Sequence, residues 1–303
     1  MPAQNLANNI AVHLGQTLGE DVAFNHWQPV SGGCIHQSWS ASSQSGQRYF
    51  IKTNSAANFH MFQTEALGLD ELRKRLVKDN PIQIPNVIDV AADEEHAWLV
   101  LEFIPFATGT HQSEADLGRG LALLHQQTST TFGLEHNNFI GASPQTNTQE
   151  TSWLTFFRQH RLQGQFDLAK TNGFYQDLQD EAEELLENLP NLLADHYPIP
   201  SLLHGDLWSG NKACSTKGQP ILFDPAIYYG DRECDLAMTE LFGGFSNTFY
   251  AAYAQTYPID KGYKQRKDLY HLYHILNHAN LFGGHYIQQS QQIMRTLNQR
   301  CHA

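Results

Sequence analysis

Leu6, Ile10, Leu14 and Leu18 recur every fourth residue at the start of the chain. That spacing gathers apolar side chains on one face of a helix and predicts an N-terminal helix lying on the body of the protein. The pattern then changes to short β-type runs at 22–28, 35–41 and 48–53, divided by Ser31-Gly32-Gly33 and Ser45-Gly46. These predict a three-stranded meander with a glycine loop in its first turn. Helical periodicity returns over 57–76, with Phe59, Phe62, Leu69 and Leu72 on one side, and β character resumes at 87–91 and 97–103. Residues 1–103 therefore read as a five-stranded sheet with one key helix. Ile104-Pro105 marks a boundary, because proline removes a backbone donor and holds its predecessor extended.

Beyond the boundary the pattern is mainly helical. Leu117, Leu121 and Leu124 form a stripe, preceded by Ser113 and Asp116 at capping-box spacing, and further helices fit 153–169, 176–189, 235–242 and 263–280. The acidic run 177–187 reads as a solvated helix face. The expected architecture is α+β and two-lobed: a small antiparallel sheet lobe, 1–103, and a mainly helical lobe, 104–303. A chain of 303 residues exceeds the usual size of one core, so each lobe is expected to bury its own.

Composition narrows the partners. With 41% hydrophobic and 17% charged residues the chain belongs among ordered globular proteins. A formal charge of -12 and no long Lys/Arg run argue against nucleic acid. A small anionic ligand held by local amides, one or two cations and a metal remains compatible. Cys34, Cys214, Cys234 and Cys301 are scattered and form no C-x-x-C pair, which fits a reducing compartment. The first ten residues lack a basic stretch followed by an apolar run, and nothing approaches the roughly 20 apolar residues of a membrane span. The cytoplasm, with no membrane partner, is the expectation, and a monomer or a homodimer is equally compatible.

The sharpest chemical signal is His204-Gly205-Asp206-Leu207-Trp208-Ser209-Gly210-Asn211, with Asp224 thirteen residues further on after Ile221-Leu222-Phe223. An aspartate, an asparagine five residues later and a second aspartate after a hairpin suit phosphoryl transfer. One carboxylate orients the attacking hydroxyl, while an amide oxygen and a carboxylate hold Mg2+. A single H-x-D would more simply be a turn with a capping aspartate; the whole frame is what favours catalysis. Upstream, Lys52 closes the third strand and Glu65 lies in the following helix, where a lysine can reach nucleotide phosphates while a glutamate steadies it. Gly32 and Gly33 could lay backbone N–H groups over those phosphates. Glu102, Phe103 and Ile104, at the lobe junction, would by position meet the adenine of ATP.

The segments SGGCIHQSW, YFIKTN, TEALGL, LVLEFIP, LLHGDLWSGN, FDPA, YYGDRECDLAM and LFGG cover most of the chain. In them it resembles the fructosamine kinases, or ketosamine-3-kinases, of the aminoglycoside-phosphotransferase-like branch of the protein-kinase-like fold. The resemblance implies ATP- and Mg2+-dependent phosphorylation of the C3 hydroxyl of free or protein-bound ketosamines. By matching position it implies Asp206 as proton acceptor, Asn211 and Asp224 as metal ligands, Lys52 as phosphate cation and Glu65 as its partner. Gly205 stands where protein kinases carry an arginine, Pro225-Ala226 follows Asp224 in place of Phe-Gly, and no A-P-E element follows; activity without an activation loop is the consequence.

Four residues admit two readings. Asp231 and Asp235 could both contact substrate, but the place of Asp235 directly ahead of an apolar helical stretch favours a structural role, capping that helix or bonding the catalytic-loop backbone. Trp208 could be core, yet its place in the catalytic loop favours a platform for the apolar face of the sugar. Cys34, directly after Gly33, is either a small apolar filler or a thiol whose oxidation obstructs the phosphate site. His271, His274, His278 and His285 lack carboxylate partners at ligand spacing and read as polar or semi-buried helix positions. Other substrates stay open on the same fold, an aminoglycoside, choline or another amino alcohol, and so does a nucleotide-binding pseudokinase without turnover.

Overall fold

The computed structural model describes residues 2–31 and 35–302. Gly32, Gly33 and Cys34 lie outside the described residues, so the phosphate and redox roles expected of them stay at the level of sequence. The chain opens with helix α1 (Pro2–Leu18), followed by β1 (Phe24–Val30), β2 (Gln37–Ser43) and β3 (Arg48–Ser55), then α2 (Phe59–Arg75), β4 (Val87–Ala92) and β5 (His96–Glu102). These strands form one antiparallel sheet in the order β1-β2-β3-β5-β4. The expected five strands and key helix are all present.

Strand β5 shows how the sheet is held. Alternate side chains point to opposite faces of a strand, so Trp98 and Val100 enter one core with Ile51, Tyr49 and the α1 stripe of Leu6, Ile10 and Leu14. Ala97, Leu99 and Leu101 enter the other with Phe62, Leu69 and Leu72 of α2. Leu18, the fourth member of the predicted α1 stripe, is exposed. The second core continues without a break into the helical part, where it takes in Leu117 and Leu121. The expectation of one core per lobe is thus corrected: the outer sheet face has its own, and the inner face shares one with the rest of the chain.

After the Ile104-Pro105 junction come β6 (Phe106–Ala107), α3 (His111–His125), β7 (Asn138–Ile140) and β8 (Ser143–Gln145). A long helix follows in three parts, α4 (Trp153–Phe156), a π-helical stretch Phe157–Leu162 and α5 (Gln163–Thr171), and then α6 (Gln179–Leu192). The site is carried by β9 (Ser201–Leu203), β10 (Lys212–Ser215), β11 (Pro220–Leu222) and β12 (Tyr228–Gly230). It is backed by α7 (Glu233–Leu241), α8 (Asn247–Thr256), α9 (Tyr263–Phe282) and α10 (His285–Cys301). The capping box of α3 is Thr110 with Ser113, each side chain bonding the other's backbone N–H. The predicted Ser113/Asp116 box is one turn too late, and Asp116 instead accepts from the Gln112 amide and pairs with Arg119. Among the described residues, no helix is long and apolar enough to cross a membrane.

Candidate active site

Strand β9 delivers the chain to His204, and the backbone of His204 and Gly205 is fixed from below. Asp235, on α7 and buried, accepts the backbone N–H of His204 at 2.7 Å and of Gly205 at 2.8 Å, and it also meets His125 Nε2 at 3.1 Å. Burial alone would raise the Asp235 pKa, but the His125 bond and charge, the His204 charge and the Gly205 backbone bond bring it below the ordinary carboxylate range. Of the two structural roles foreseen for Asp235, it takes the bond to the catalytic loop; the residue preceding α7 is Arg232.

Gly205 has φ +82, and a Cβ there would sit 2.0 Å from the Ala226 carbonyl oxygen. No other residue fits without moving one of the two segments. The contact matters because Ala226 N–H bonds His204 O at 2.8 Å, tying the segment after Asp224 to the catalytic loop. His204 Nε2 donates to Phe223 O at 3.0 Å, which leaves Nδ1 to accept from Asp206 N–H at 3.3 Å.

The hairpin β10–β11 then carries the chain out and back from Asn211 to Asp224. Asn211 Nδ2 donates to Asp206 O at 2.8 Å, to Asp206 Oδ2 at 3.1 Å and to Asp224 O at 3.4 Å, which turns its Oδ1 away from all three. Asp224 is held at φ +56, a strained conformation for a residue with a Cβ. Lys52 Nζ reaches Glu65 Oε1 at 2.7 Å and Asp224 Oδ1 at 2.6 Å. Burial would depress the lysine, yet the Asp224 and Glu65 charges overcome it and hold its pKa above the usual value. Asp206 is pushed up to about 7, by burial first and then by the Asp224 charge, against the opposing bond from Asn211.

Lys52, Glu65, Asp206, Asn211 and Asp224 all line one cleft of about 940 Å3. Glu102, Phe103 and Ile104 line it at the lobe junction, where the Arg48 guanidinium lies 3.6 Å from the Phe103 ring centre and the Glu102 carboxylate is taken up by Asn86. Trp208, 37% exposed, lines the same cleft, its ring nearly perpendicular to that of Phe242. Phe242 packs on His278 of α9, with Phe282 and Tyr286 beside it. This aromatic wall was missed from sequence, where His278 read only as a semi-buried helix position. Its one available signal was the i, i+4 pair of His278 and Phe282.

Asp231 requires a correction. It is 1% exposed, accepts from Tyr270 OH and lies against His196 Nε2, both at 2.5 Å, and is not among the cleft-lining residues. Its neighbours in the same motif are equally structural: Arg232 bonds the Tyr257 and Pro258 carbonyls, and Glu233 pairs with Arg266. His196, Glu233 and Asp260 are close enough to share a cation, but Arg266 Nη2 already bridges the two carboxylates at 2.7 and 2.6 Å.

A strand lysine fixed by a helix glutamate, facing an Asp–Asn–Asp constellation across one cleft, defines a kinase-fold phosphotransferase. The chain belongs to the fructosamine kinase family, whose model matches residues 6–300. It is 45% identical over 299 residues to a "Probable ketoamine kinase" of Synechocystis, covering 97% of this chain and 98% of that one. It is 38% identical over 268 residues to the chloroplastic protein-ribulosamine 3-kinase of Arabidopsis thaliana, covering 88% and 80%. A solved structure described as a fructosamine-3-kinase of Haemophilus somnus superposes with a TM-score of 0.85 at 29% identity, over 95% of this chain and 96% of that one. Membership of a kinase family brings with it the use of ATP.

Proposed function

We propose that this chain transfers the γ-phosphoryl group of ATP to the C3 hydroxyl of a ketosamine, with residues 1–103 as the nucleotide lobe and 104–303 as the catalytic and acceptor lobe. The observation that carries this reading is the convergence of Asp206, Asn211, Asp224 and the Lys52–Glu65 pair on one cleft. Asp206 accepts the hydroxyl proton as the new O–P bond forms and the bond to the bridging β–γ oxygen breaks. Its pKa near 7 suits a proton acceptor working near neutral pH. Lys52, aligned by Glu65, holds the non-transferring phosphates. Asn211 Oδ1 and the Asp224 carboxylate form an all-oxygen donor set suited to Mg2+. Bound there, the cation would neutralise phosphate charge. Trp208, partly exposed in the cleft, offers its indole to the C–H face of the sugar.

Single-substrate kinetics on fructosyl-lysine and the corresponding ribulosamine, beside an aminoglycoside and choline, test the acceptor, with phosphorus NMR locating the product phosphate. Turnover confined to the ketosamines with phosphate on C3 is expected. Faster turnover of an aminoglycoside or choline would move the chain to another branch of the fold, and nucleotide binding with no transfer to any acceptor would make it a pseudokinase.

A further inference from the structure

His36 immediately precedes β2 on the cleft-facing side of the sheet, where Ser40 stands opposite Phe50 and Ser38 opposite Lys52. One step further, the His36 ring meets the side chain of Asn54, with Nδ1 at 2.9 Å from Asn54 Nδ2. The catalytic scheme above gives this histidine no task, although it lines the same cleft as Lys52, Asp206 and Asp224.

Its tautomer can be worked out from its neighbours. Asn54 Oδ1 accepts the Ser55 backbone N–H at 2.8 Å and the Asn58 amide at 3.0 Å, so the Asn54 NH2 must face the other way, toward Ile35 O and His36. An amide NH2 only donates. His36 Nδ1 is therefore the acceptor, and the ring proton sits on Nε2. The ring itself is braced against Phe62 of α2, centroids 4.6 Å apart. Burial and then the Lys52 charge bring its pKa down to about 4 in spite of Asp224, so the ring is neutral at physiological pH. Nε2 has no hydrogen-bond partner among the described residues. The result is a fixed, neutral N–H donor near Lys52 that meets no acceptor among the described residues.

We propose that His36 binds phosphate: its Nε2–H donates to an oxygen at the β–γ end of the nucleotide's polyphosphate chain, next to Lys52. The proposal rests on the nucleotide reading of the cleft and adds a recognition residue to it. A neutral donor suits the position, since it adds a hydrogen bond to the anion without setting a second full positive charge beside the lysine.

The test is calorimetric titration of the full chain with Mg2+ and either AMP or β,γ-imido-ATP, which needs no acceptor substrate. His36→Ala should weaken the imido analogue by about tenfold or more, the size of a hydrogen bond to a charged group, and leave AMP unchanged. His36→Gln, which keeps a neutral N–H donor, should recover most of the loss, whereas His36→Phe, which keeps the packing on Phe62 without the donor, should not. His36→Phe also answers the question should the alanine variant fold poorly. Equal weakening of AMP and the analogue would reduce His36 to a packing residue, and an unchanged affinity for the analogue would remove it from the site. Wild-type protein that binds the analogue yet phosphorylates no ketosamine would overturn the acceptor assignment and leave the His36 comparison fully readable. Wild-type protein that binds neither nucleotide would overturn both.

Discussion

Lys52 Nζ and Asp224 Oδ1, 172 residues apart in sequence, lie 2.6 Å apart across the cleft. In this state the lysine is the counter-charge of a carboxylate proposed to hold Mg2+. Nucleotide binding must exchange that pairing for two others, lysine to phosphate and carboxylate to metal. Asp224→Ala should therefore abolish the gain in ATP affinity that Mg2+ confers, while metal-free ATP binding is retained, because Lys52 is released toward the phosphates. ATP titrations with and without Mg2+ measure both quantities. An unchanged Mg2+ dependence would exclude Asp224 as a ligand.

Asp206 carries a second pair of expectations. As proton acceptor it must be ionised, so kcat/KM should fall about tenfold per pH unit below pH 7. Asp206→Asn should lower kcat by roughly 10² to 10⁴ with little change in ATP affinity. The raised pKa also has a thermodynamic sign. Between the unfolded carboxylate value of about 4 and the folded value of about 7 the native state binds more protons, so stability declines as pH rises through that window. The asparagine variant, with no charge to desolvate, should melt higher than wild type at pH 8, and the difference should vanish near pH 4. Equal melting temperatures at both pH values would show that the Asp206 charge costs the fold nothing.

The features legible in sequence were those set by local pattern. The strands around Lys52, the helix carrying Glu65 and the Asp206–Asn211–Asp224 frame could be read because periodicity and spacing along the chain survive folding. Asp231 failed for the opposite reason. Its burial is decided by His196 and Tyr270, 35 and 39 residues away, and no spacing rule reports them. The wall of Phe242, His278 and Tyr286 is similar: it is assembled where α9 and α10 meet the loop after α7, a juxtaposition only tertiary packing creates. The merging of the two expected cores has the same origin, because α2 presents one apolar face to the sheet and to the helical part together.

Trp208 separates acceptor binding from nucleotide binding. Its ring tip lies over Gly210, where a Cβ would come within 2.3 Å of the indole, so the loop backbone holds the ring in place. Trp208→Ala should raise the KM for the ketosamine and lower its kcat/KM by the equivalent of about 1–3 kcal/mol, leaving the KM for ATP unchanged. Equal losses for both substrates would instead indicate a collapsed catalytic loop.

Arg161 supports the site from behind. It is fully buried on the π-helical stretch and has no carboxylate partner among the described residues, donating instead to Thr146 O at 2.7 Å, His160 O at 3.0 Å and Asn147 Oδ1 at 2.8 Å. Its guanidinium lies 3.8 Å from the centre of the Tyr228 ring and 4.5 Å from that of Phe156. The fixed Asn147 donates to Asn138 Oδ1, Asn138 in turn to Ile227 O, and Gln145 to Ala226 O. The chain of amides thus ends on the backbone two and three residues after Asp224, whose left-handed conformation needs such support. Arg161→Leu would leave buried carbonyls unpaired, at about 1–3 kcal/mol each, and should lower stability by several kcal/mol in urea unfolding. Arg161→Lys should rescue little of this, because an ammonium offers neither the planar stacking nor the fork of donors. The variants should also lose Mg2+-dependent ATP affinity at temperatures where they remain folded. Normal Mg2+ dependence in a destabilised but folded variant would confine Arg161 to the core and detach it from Asp224.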